Sequence, residues 1–237
     1  MRIMSFNTLH CENYLEGKID FELIARVISE SGADIIGLNE IRGAGDLEGY
    51  TDQIGTLSEL TGIENYYFAK AIDVGGKNAP YGNALLSKYP IVSTETIAVP
   101  DPEVRMYDPR YYETRCLLKA KLSCGLTVFV IHFGLNADER ENAVKTVLEN
   151  LEEERCILMG DFNVTPENEI LSPIREKMID ASVAFDGEKF SFPSVDPQKK
   201  IDYIFVTPDI CLKSADIPRI VASDHFPHIA DIEIKNN

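Results

Sequence analysis

The sequence predicts an α/β (α+β) protein in which two packed β-sheets are flanked by helices. Short apolar runs with the pattern of strands outnumber the helical patterns, and several of these runs follow one another directly, as hairpins do. The few helical patterns lie between single strands, which is the arrangement of crossover connections. This mixture argues against a simple doubly wound parallel sheet.

The first quarter of the chain alternates strands and helices. Residues 3–6 and 34–39 are apolar runs that predict strands, and the second run ends at Glu40. Between them, apolar residues from 19 to 28 share one helical face, and Gly32 follows as the expected helix end. Residues 51–60 predict a second helix with Thr51 at its N-cap.

Strands dominate the rest of the chain. Ser123-Cys124-Gly125 is a hairpin signal between two of them, and apolar positions in residues 137–151 predict a helix. The predicted strands are residues 65–72, 82–87, 91–99, 115–122, 126–132, 156–159, 201–206 and 229–234.

Composition favours a single cytoplasmic domain. The 237 residues contain no linker rich in Pro, Gly or Ser and no internal repeat, so we expect one domain over residues 1–237 and a monomer. No apolar run is long enough to span a bilayer, and residues 2–7 have the pattern of a core strand rather than of a signal peptide. Five cysteines without a CxxC pair predict reduced, buried thiols rather than disulfides or a zinc site.

The chain is strongly acidic, with a formal net charge of −16. Such a charge disfavours proteins that hold nucleic acid or anionic membranes through phosphate contacts, because those proteins carry basic patches. A bound divalent metal would supply positive charge where the acidic side chains cluster.

Five polar residues occupy equivalent positions, at or just past the carboxyl ends of apolar strands: Asn7, Glu40, His132, Asp161 and Asn163. Taken singly, each is more simply a turn former, a solvated strand end or a buried structural residue. Together they predict a site, because strand ends converge at one rim of a sheet and ligands bind at such rims.

Two further signals follow in the last fifth of the chain. Asp202 stands at the head of an apolar strand, and Ser223-Asp224-His225 comes some twenty residues later. An imidazole oriented by a carboxylate is what hydrolysis of a phosphate ester near neutral pH requires.

These residues belong to seven short segments that span the chain in order: Ser5-Phe6-Asn7, Leu38-Asn39-Glu40, Gly82-Asn83-Ala84-Leu85-Leu86-Ser87-Lys88-Tyr89-Pro90, His132, Gly160-Asp161-Phe162-Asn163, Ile201-Asp202-Tyr203 and Ser223-Asp224-His225. The series resembles the endonuclease/exonuclease/phosphatase superfamily of deoxyribonuclease-like, metal-dependent phosphoesterases. Residues 160–166 and Phe192-Pro193-Ser194 resemble its broad group of uncharacterised bacterial hydrolases. The resemblance implies a four-layer sandwich, with two central mixed or antiparallel sheets packed face to face between helices.

The resemblance also implies roles for these residues. Glu40 would bind the metal, helped by Asn7 and Asp224, either directly or through water. The ligands are oxygen atoms, so Mg²⁺ is the expected metal and Mn²⁺ the alternative.

The catalytic set implied by the resemblance contains five residues. His225 would be a general base or a phosphate contact, with Asp202 bonded to its other ring nitrogen. Asp161 would orient or deprotonate the attacking water and Asn163 would donate to a phosphate oxygen. His132 would act near the leaving group.

Three more residues are candidates for phosphate binding, each with an equally simple alternative. Arg42, two residues after Glu40, could be a surface arginine. Arg115 could pair with Glu113, and Asn83 could only shape the start of its strand.

The expected function is hydrolysis of a small or headgroup-like phosphate ester by in-line attack of water. A nonspecific endonuclease or exonuclease is the alternative, and a catalytically silent binding protein on the same fold is a third hypothesis. The chain has no Trp and no long basic segment, which argues against repair of abasic DNA. A small phosphate ester is therefore favoured over nucleic acid as the partner.

Overall fold

The computed structural model describes residues 1–234. Its helices are α1 (Phe21–Ser31), α2 (Gln53–Thr61), α3 (Ala137–Asn150) and α4 (Ser172–Arg175). Its strands are β1 (Arg2–Asn7), β2 (Glu12–Asn13), β3 (Lys18–Ile19), β4 (Ile35–Arg42), β5 (Asn65–Asp73), β6 (Pro80–Ser87), β7 (Ile91–Ala98), β8 (Cys116–Leu122), β9 (Thr127–His132), β10 (Cys156–Asp161), β11 (Ile179–Asp180), β12 (Asp202–Val206), β13 (Ile210–Asp216) and β14 (His228–Ile234).

Two six-stranded sheets form the centre of the molecule. The first sheet has the order β13-β14-β1-β4-β6-β5, and the second has the order β11-β12-β10-β9-β8-β7. Their facing sides share one apolar cluster, in which Ile3 and Ile35 of the first sheet join Val130 and Met159 of the second. The two sheets are therefore packed face to face.

Helices cover the outer side of each sheet. Met4 and Ile36, the neighbours of the inward-facing Ile3 and Ile35, pack in a second cluster with α1 and α2. This alternation follows from the two-residue period of a strand. A third cluster joins the outer side of the second sheet to α3 and α4. The four-layer sandwich expected from the resemblance is confirmed.

The helix boundaries follow local chemistry. Asp20 caps α1 by accepting from the Leu23 amide, and Gly32 ends the helix in the left-handed conformation, as predicted. The prediction of Thr51 as the N-cap of α2 is wrong by one residue. Asp52 caps it instead, through an acceptor bond from the Gly55 amide, because a carboxylate is as good a cap as a hydroxyl.

The predicted strands are present, and the sequence patterns missed one strand of the first sheet. This strand is β13 (Ile210–Asp216), which pairs with β14 at the edge of the sheet. Its burial is broken by exposed positions and its register shifts between Leu212 and Ser214, so it lacks a clean two-residue alternation.

The cysteines and helices agree with the sequence analysis. The five cysteines are free thiols, and Cys11, Cys116 and Cys156 are buried. Within residues 1–234, no helix has both the length and the apolar character needed to cross a membrane.

Two parallel strand pairs bring the polar strand ends to one rim. β1 and β4 run parallel in the first sheet, with Asn7 beside Asn39. β9 and β10 run parallel in the second, with His132 beside Asp161. The carboxyl ends of both pairs lie at the same edge of the sandwich, as the contacts of Asn39 show.

The side chain of Asn39 ties the two sheets together at this rim. Its amide donates to the Ile131 carbonyl at 3.0 Å and to Asn83 Oδ1 at 2.8 Å. Its carbonyl accepts from the Asp161 amide at 2.9 Å. Asn83 extends the bridge by donating to the Cys116 carbonyl at 2.9 Å. Asn39 is fully buried, so these bonds replace water completely.

Glycine at position 160 permits this close approach. Gly160 has a φ of +145°, and a Cβ placed there would collide with the Ile131 carbonyl oxygen, which Asn39 also contacts. A larger residue would be strained in its backbone and would push β9 and β10 apart. Gly160 therefore fixes the backbone that carries Asp161.

Replacing Asn39 with Ala should destabilise the protein by about 2–4 kcal/mol, because it leaves the buried Asp161 amide and Asn83 side chain without partners. Urea unfolding would measure the loss. Asn150→Ala is the matched control, since that amide only donates back to Thr146 in the last turn of α3. Equal losses in the two variants would contradict the bridging role.

Candidate active site

The rim holds a network that begins at Asn7. Asn7 is the last residue of β1, and its amide donates to Glu40 Oε1 at 3.0 Å and to Asp161 Oδ2 at 3.2 Å. Glu40 has a φ of +62°, outside the extended conformation of β4 on either side. This turn in the backbone aims the carboxylate towards Asn7 instead of leaving it in the regular strand alternation.

His225 and Asp202 form a buried pair beneath the rim. His225 Nδ1 lies 2.8 Å from Asp202 Oδ2, and its Nε2 lies 3.6 Å from Asp161 Oδ2. Burial lowers the pKa of His225, but the carboxylates of Asp202 and Asp161 outweigh that effect and raise the pKa to about 10. Without a metal, His225 is therefore an imidazolium held between two carboxyl groups.

A hairpin of residues 191–201 positions both His225 and Asp202. The buried hydroxyl of Ser191 accepts from the Asp202 amide at 3.3 Å, and the Ser191 carbonyl accepts from the Phe226 amide at 2.8 Å. Ser194 donates to the Ser223 carbonyl at 2.6 Å and, through its amide, to the Asp224 carbonyl at 2.7 Å. Sequence reasoning missed Ser191 and noted Ser194 only as part of the Phe192-Pro193-Ser194 segment, because a hydroxyl that supports a distant backbone leaves no local pattern.

Asp161 and Asn163 flank a tight turn after β10. The Asn163 amide donates to Asp161 Oδ1 at 2.9 Å, and Asn163 itself has a φ of +52°, a conformation that asparagine tolerates well. Its side-chain nitrogen donates to the Phe133 carbonyl at 3.0 Å and lies 3.1 Å from His132 Nε2. The turn therefore brings Asn163 to the histidine at the end of β9.

His132 is neutral in this environment. Burial, then Arg115, then His225 hold the pKa of His132 well below its usual range. Arg115 Nη1 lies 3.2 Å from His132 Nδ1, and because a guanidinium can only donate, Nδ1 is assigned as the acceptor. In that tautomer Nε2 carries the proton and faces Asp161 Oδ2 at 3.4 Å.

Arg115 is close to the network and incompletely satisfied. Its Nη1 also pairs with Glu113, the partner considered from the sequence. Its buried Nε has no hydrogen-bond partner within the described part of the chain. The phosphate contact predicted for Arg115 is thus compatible with its position, although the Glu113 pair is present too.

Arg42 and Asn83 occupy different surroundings. The Arg42 guanidinium lies 4.9 Å from the centre of the Tyr50 ring, and its buried Nε, like that of Arg115, has no hydrogen-bond partner among residues 1–234. Asn83 lies beneath the rim, where its side chain completes the bridge from Asn39 to Cys116. These bonds favour a positioning role for Asn83, and a phosphate contact by either residue stays a prediction.

The carboxylates of the site repel one another. Burial and then Asp224 raise the pKa of Glu40, against the lowering effect of the Asn7 hydrogen bond. Burial also raises the pKa of Asp161 to about 7, although His225 opposes it. Glu40 in turn helps to raise the pKa of Tyr81, a neighbour that sequence reasoning missed. Raised carboxyl pKa values mean that the site lacks positive charge.

A divalent cation fits this deficit, and two separate sets of side chains could hold it. The predicted set is Glu40, Asn7 and Asp224 at the mouth of the rim, where Glu40 and Asp224 are half-buried and Asn7 is buried. Deeper in the protein, ligand atoms of Asp161, Asp202 and His225 all lie within 4.8 Å of one another. Asp202 Oδ1 is buried without a partner in the described residues, which also fits a cation or a water at this depth.

Comparison with known proteins adds independent information. The sequence profile described as the Endonuclease/Exonuclease/phosphatase family matches residues 4–225. No curated protein matches the chain at a significant level.

Several solved structures share the fold. An endonuclease/exonuclease/phosphatase from Beutenbergia cavernae superposes with a TM-score of 0.81 at 22% identity, over 99% of this chain and 71% of that one. One from Bacteroides vulgatus gives 0.77 at 22% identity, over 99% and 98%. A mannosyl-6-phosphatase from Bacteroides thetaiotaomicron gives 0.79 at 18% identity, over 99% and 100%.

Replacing Arg115 with Gln should raise the pKa of His132, because the guanidinium disfavours a second positive charge beside it. NMR titration of the His132 ring in metal-free protein would measure the shift. Arg42→Gln is the control, since Arg42 stacks on Tyr50 and does not contact His132. An unchanged or lower pKa of His132 in the Arg115 variant would refute the assigned contact.

Proposed function

The chain belongs to the endonuclease/exonuclease/phosphatase family of phosphoric ester hydrolases, and we propose that it hydrolyses a small or headgroup-like phosphate ester by in-line attack of water. The observation that carries the proposal is the chain of contacts from Asp202 through His225 to Asp161, directly beneath Asn7 and Glu40. We further propose that residues 1–237 act as one catalytic domain.

We propose that Glu40, Asn7 and Asp224 hold the metal. The family is generally dependent on a divalent metal, and Mg²⁺ suits a site of oxygen donors, with Mn²⁺ as the alternative. When bound, such an ion supplies a Lewis acid for a phosphate oxygen and positive charge for the transition state.

Asp161 is proposed to orient the attacking water and to take its proton. Its pKa of about 7 in the metal-free protein lies near neutral pH, where a general base is most effective. The backbone amide of Asn163 donates a hydrogen bond to Asp161 Oδ1, which holds the carboxylate in place. Asp161 Oδ2 is then directed towards His132 and His225.

His225 is proposed as a phosphate contact rather than as the general base. A histidine with its pKa raised to about 10 is protonated at neutral pH and donates from Nε2 to an anionic oxygen. Asp202 fixes the ring by accepting from Nδ1. Arg115, Asn163 and His132 are proposed as further donors to the phosphate and the leaving group, in exchange for the contacts that Asn163 and His132 make with Phe133 and Asp161.

Several observations support a small ester over nucleic acid. The net charge is −16, and the chain has no Trp to stack on an exposed base. One structural neighbour is a mannosyl-6-phosphatase, whose name describes a small phosphate monoester as its substrate. A nuclease remains the second candidate because its chemistry would use the same residues.

Glu40→Gln and Asp202→Asn separate the two donor sets. If the mouth of the rim holds the metal, Glu40→Gln should weaken Mn²⁺ binding about tenfold or more, because it removes an anionic ligand. Asp202→Asn should keep most of the affinity while losing activity. Isothermal titration with Mn²⁺ would measure both, and the reverse order would assign the metal to the deeper set.

Activity can be tested on supercoiled plasmid, p-nitrophenyl phosphate and bis(p-nitrophenyl) phosphate in Mg²⁺. His225→Ala should lower the rate on the true substrate class by roughly 10²–10⁴-fold, since a charged donor to the phosphate is lost. His10→Ala is the matched control, because that imidazole pairs with Glu12. Nicking of plasmid that depends on His225 would replace the proposed small ester with the nuclease alternative.

A further inference from the structure

A cavity of about 370 Å³ opens beside the reaction centre. His225 and Asn163 line it, which places it next to the groups proposed to contact the phosphate. This volume is in the range of small-molecule sites. The remaining lining residues are Leu135, Arg140, Val164, Thr165, Phe192, Lys199 and Ile201.

Lys199 lines this cavity, and its backbone is held in place by hydrogen bonds. It forms an antiparallel bridge with Phe192, in which the Phe192 amide donates to the Lys199 carbonyl at 3.0 Å and the Lys199 amide donates to the Phe192 carbonyl at 2.9 Å. The Phe192 ring lies 4.7 Å from the His225 ring. The exposed Lys199 ammonium has no hydrogen bond or ion pair with any residue from 1 to 234, so its charge is available.

Arg140 also lines the cavity. Its Nε donates to the Gly134 carbonyl at 3.0 Å and its Nη2 donates to the Leu135 carbonyl at 2.6 Å, which fixes the half-buried guanidinium. Its Nη1 has no partner in the described part of the chain. Burial lowers the pKa of Arg140, which indicates a partly desolvated cation whose charge is not fully offset.

The two cations differ from the rest of the site in sign. The network around the phosphate position is rich in carboxylates, and a bound divalent metal would balance those. Arg140 and Lys199 line the same cavity as His225 and Asn163, together with apolar surface from Phe192, Val164 and Ile201. A ligand that fills the cavity would meet both apolar surface and positive charge.

We propose that Arg140 and Lys199 bind a second anionic group of the substrate. The inference rests on the proposed function and narrows it to a small phosphate ester whose organic part carries a further phosphate or carboxylate. Arg140 supplies a rigid donor and Lys199 a mobile one, and Phe192 covers the organic part.

The test uses three phenyl phosphates that carry a para carbamoyl, carboxyl or phosphate group, each as the monoester and as the methyl diester. Lys199→Gln should lower kcat/KM for the carboxyl and phosphate esters, relative to the carbamoyl ester, by about five- to tenfold through KM. Taking ratios between wild type and variant removes the intrinsic reactivity of the leaving groups. The carboxyl and phosphate arms identify which anion is preferred.

Lys145→Gln is the matched control, because it removes the same charge from an exposed position on α3 whose only ion pair within residues 1–234 is with Glu149. Arg140→Gln should act in the same direction as Lys199→Gln, and if it fails to fold, Lys199→Gln decides. Equal ratios in wild type and Lys199→Gln would overturn the second anion site while leaving the hydrolase proposal intact. Inactivity of the wild type on every ester and on plasmid would instead count against the proposed function.

Discussion

The active rim depends on one buried amide that joins the two sheets. Asn39 bonds to the backbone of β9 and β10 and to Asn83, so the strand ends of both sheets are held in fixed register. The hydrophobic contact between face-to-face sheets is non-directional, so it defines the offset of the strand ends less tightly than hydrogen bonds do. Directional bonds at the edge fix that offset, and Gly160 leaves them the space they need. Every contact between residues of the first and second sheets in the site follows from this registration.

The same registration has an electrostatic consequence. Because the two sheets are held in this register, the side-chain amide of Asn7 donates to both Glu40 and Asp161. These contacts lie in a region from which water is largely excluded. Buried carboxylates hold their protons more tightly, and the imidazolium of His225 offsets only part of the charge. The proposed affinity for a divalent cation would therefore come from the same packing that stabilises the fold. Binding the ion would release protons and tighten the rim.

Sequence reasoning predicted the layers and most of the candidate site for one physical reason. Strands are apolar and periodic, so a polar residue at a strand end, such as Asn7 or Glu40, stands out in the sequence. Asn39 appeared only as part of a motif, because its role depends on β9 and β10, which are distant in the sequence. Arg140 has the pattern of a surface helix charge, and Lys199 that of a loop lysine. Their shared cavity exists only once α3 and the hairpin of residues 191–201 are folded together.

Because Lys199 lies in that hairpin and Arg140 does not, we expect the surroundings of the two residues to change at different rates during evolution. Through Ser194 the hairpin supports the backbone of Ser223 and Asp224, so insertions or deletions near Lys199 would move a proposed metal ligand along with the cavity wall. Arg140, in the first turn of α3, is anchored to carbonyls of the loop just before the helix, which contains no proposed metal ligand. Lineages of this fold that acquire new substrates should therefore vary position 140 more readily than the hairpin, which should change by substitution alone and keep its length constant.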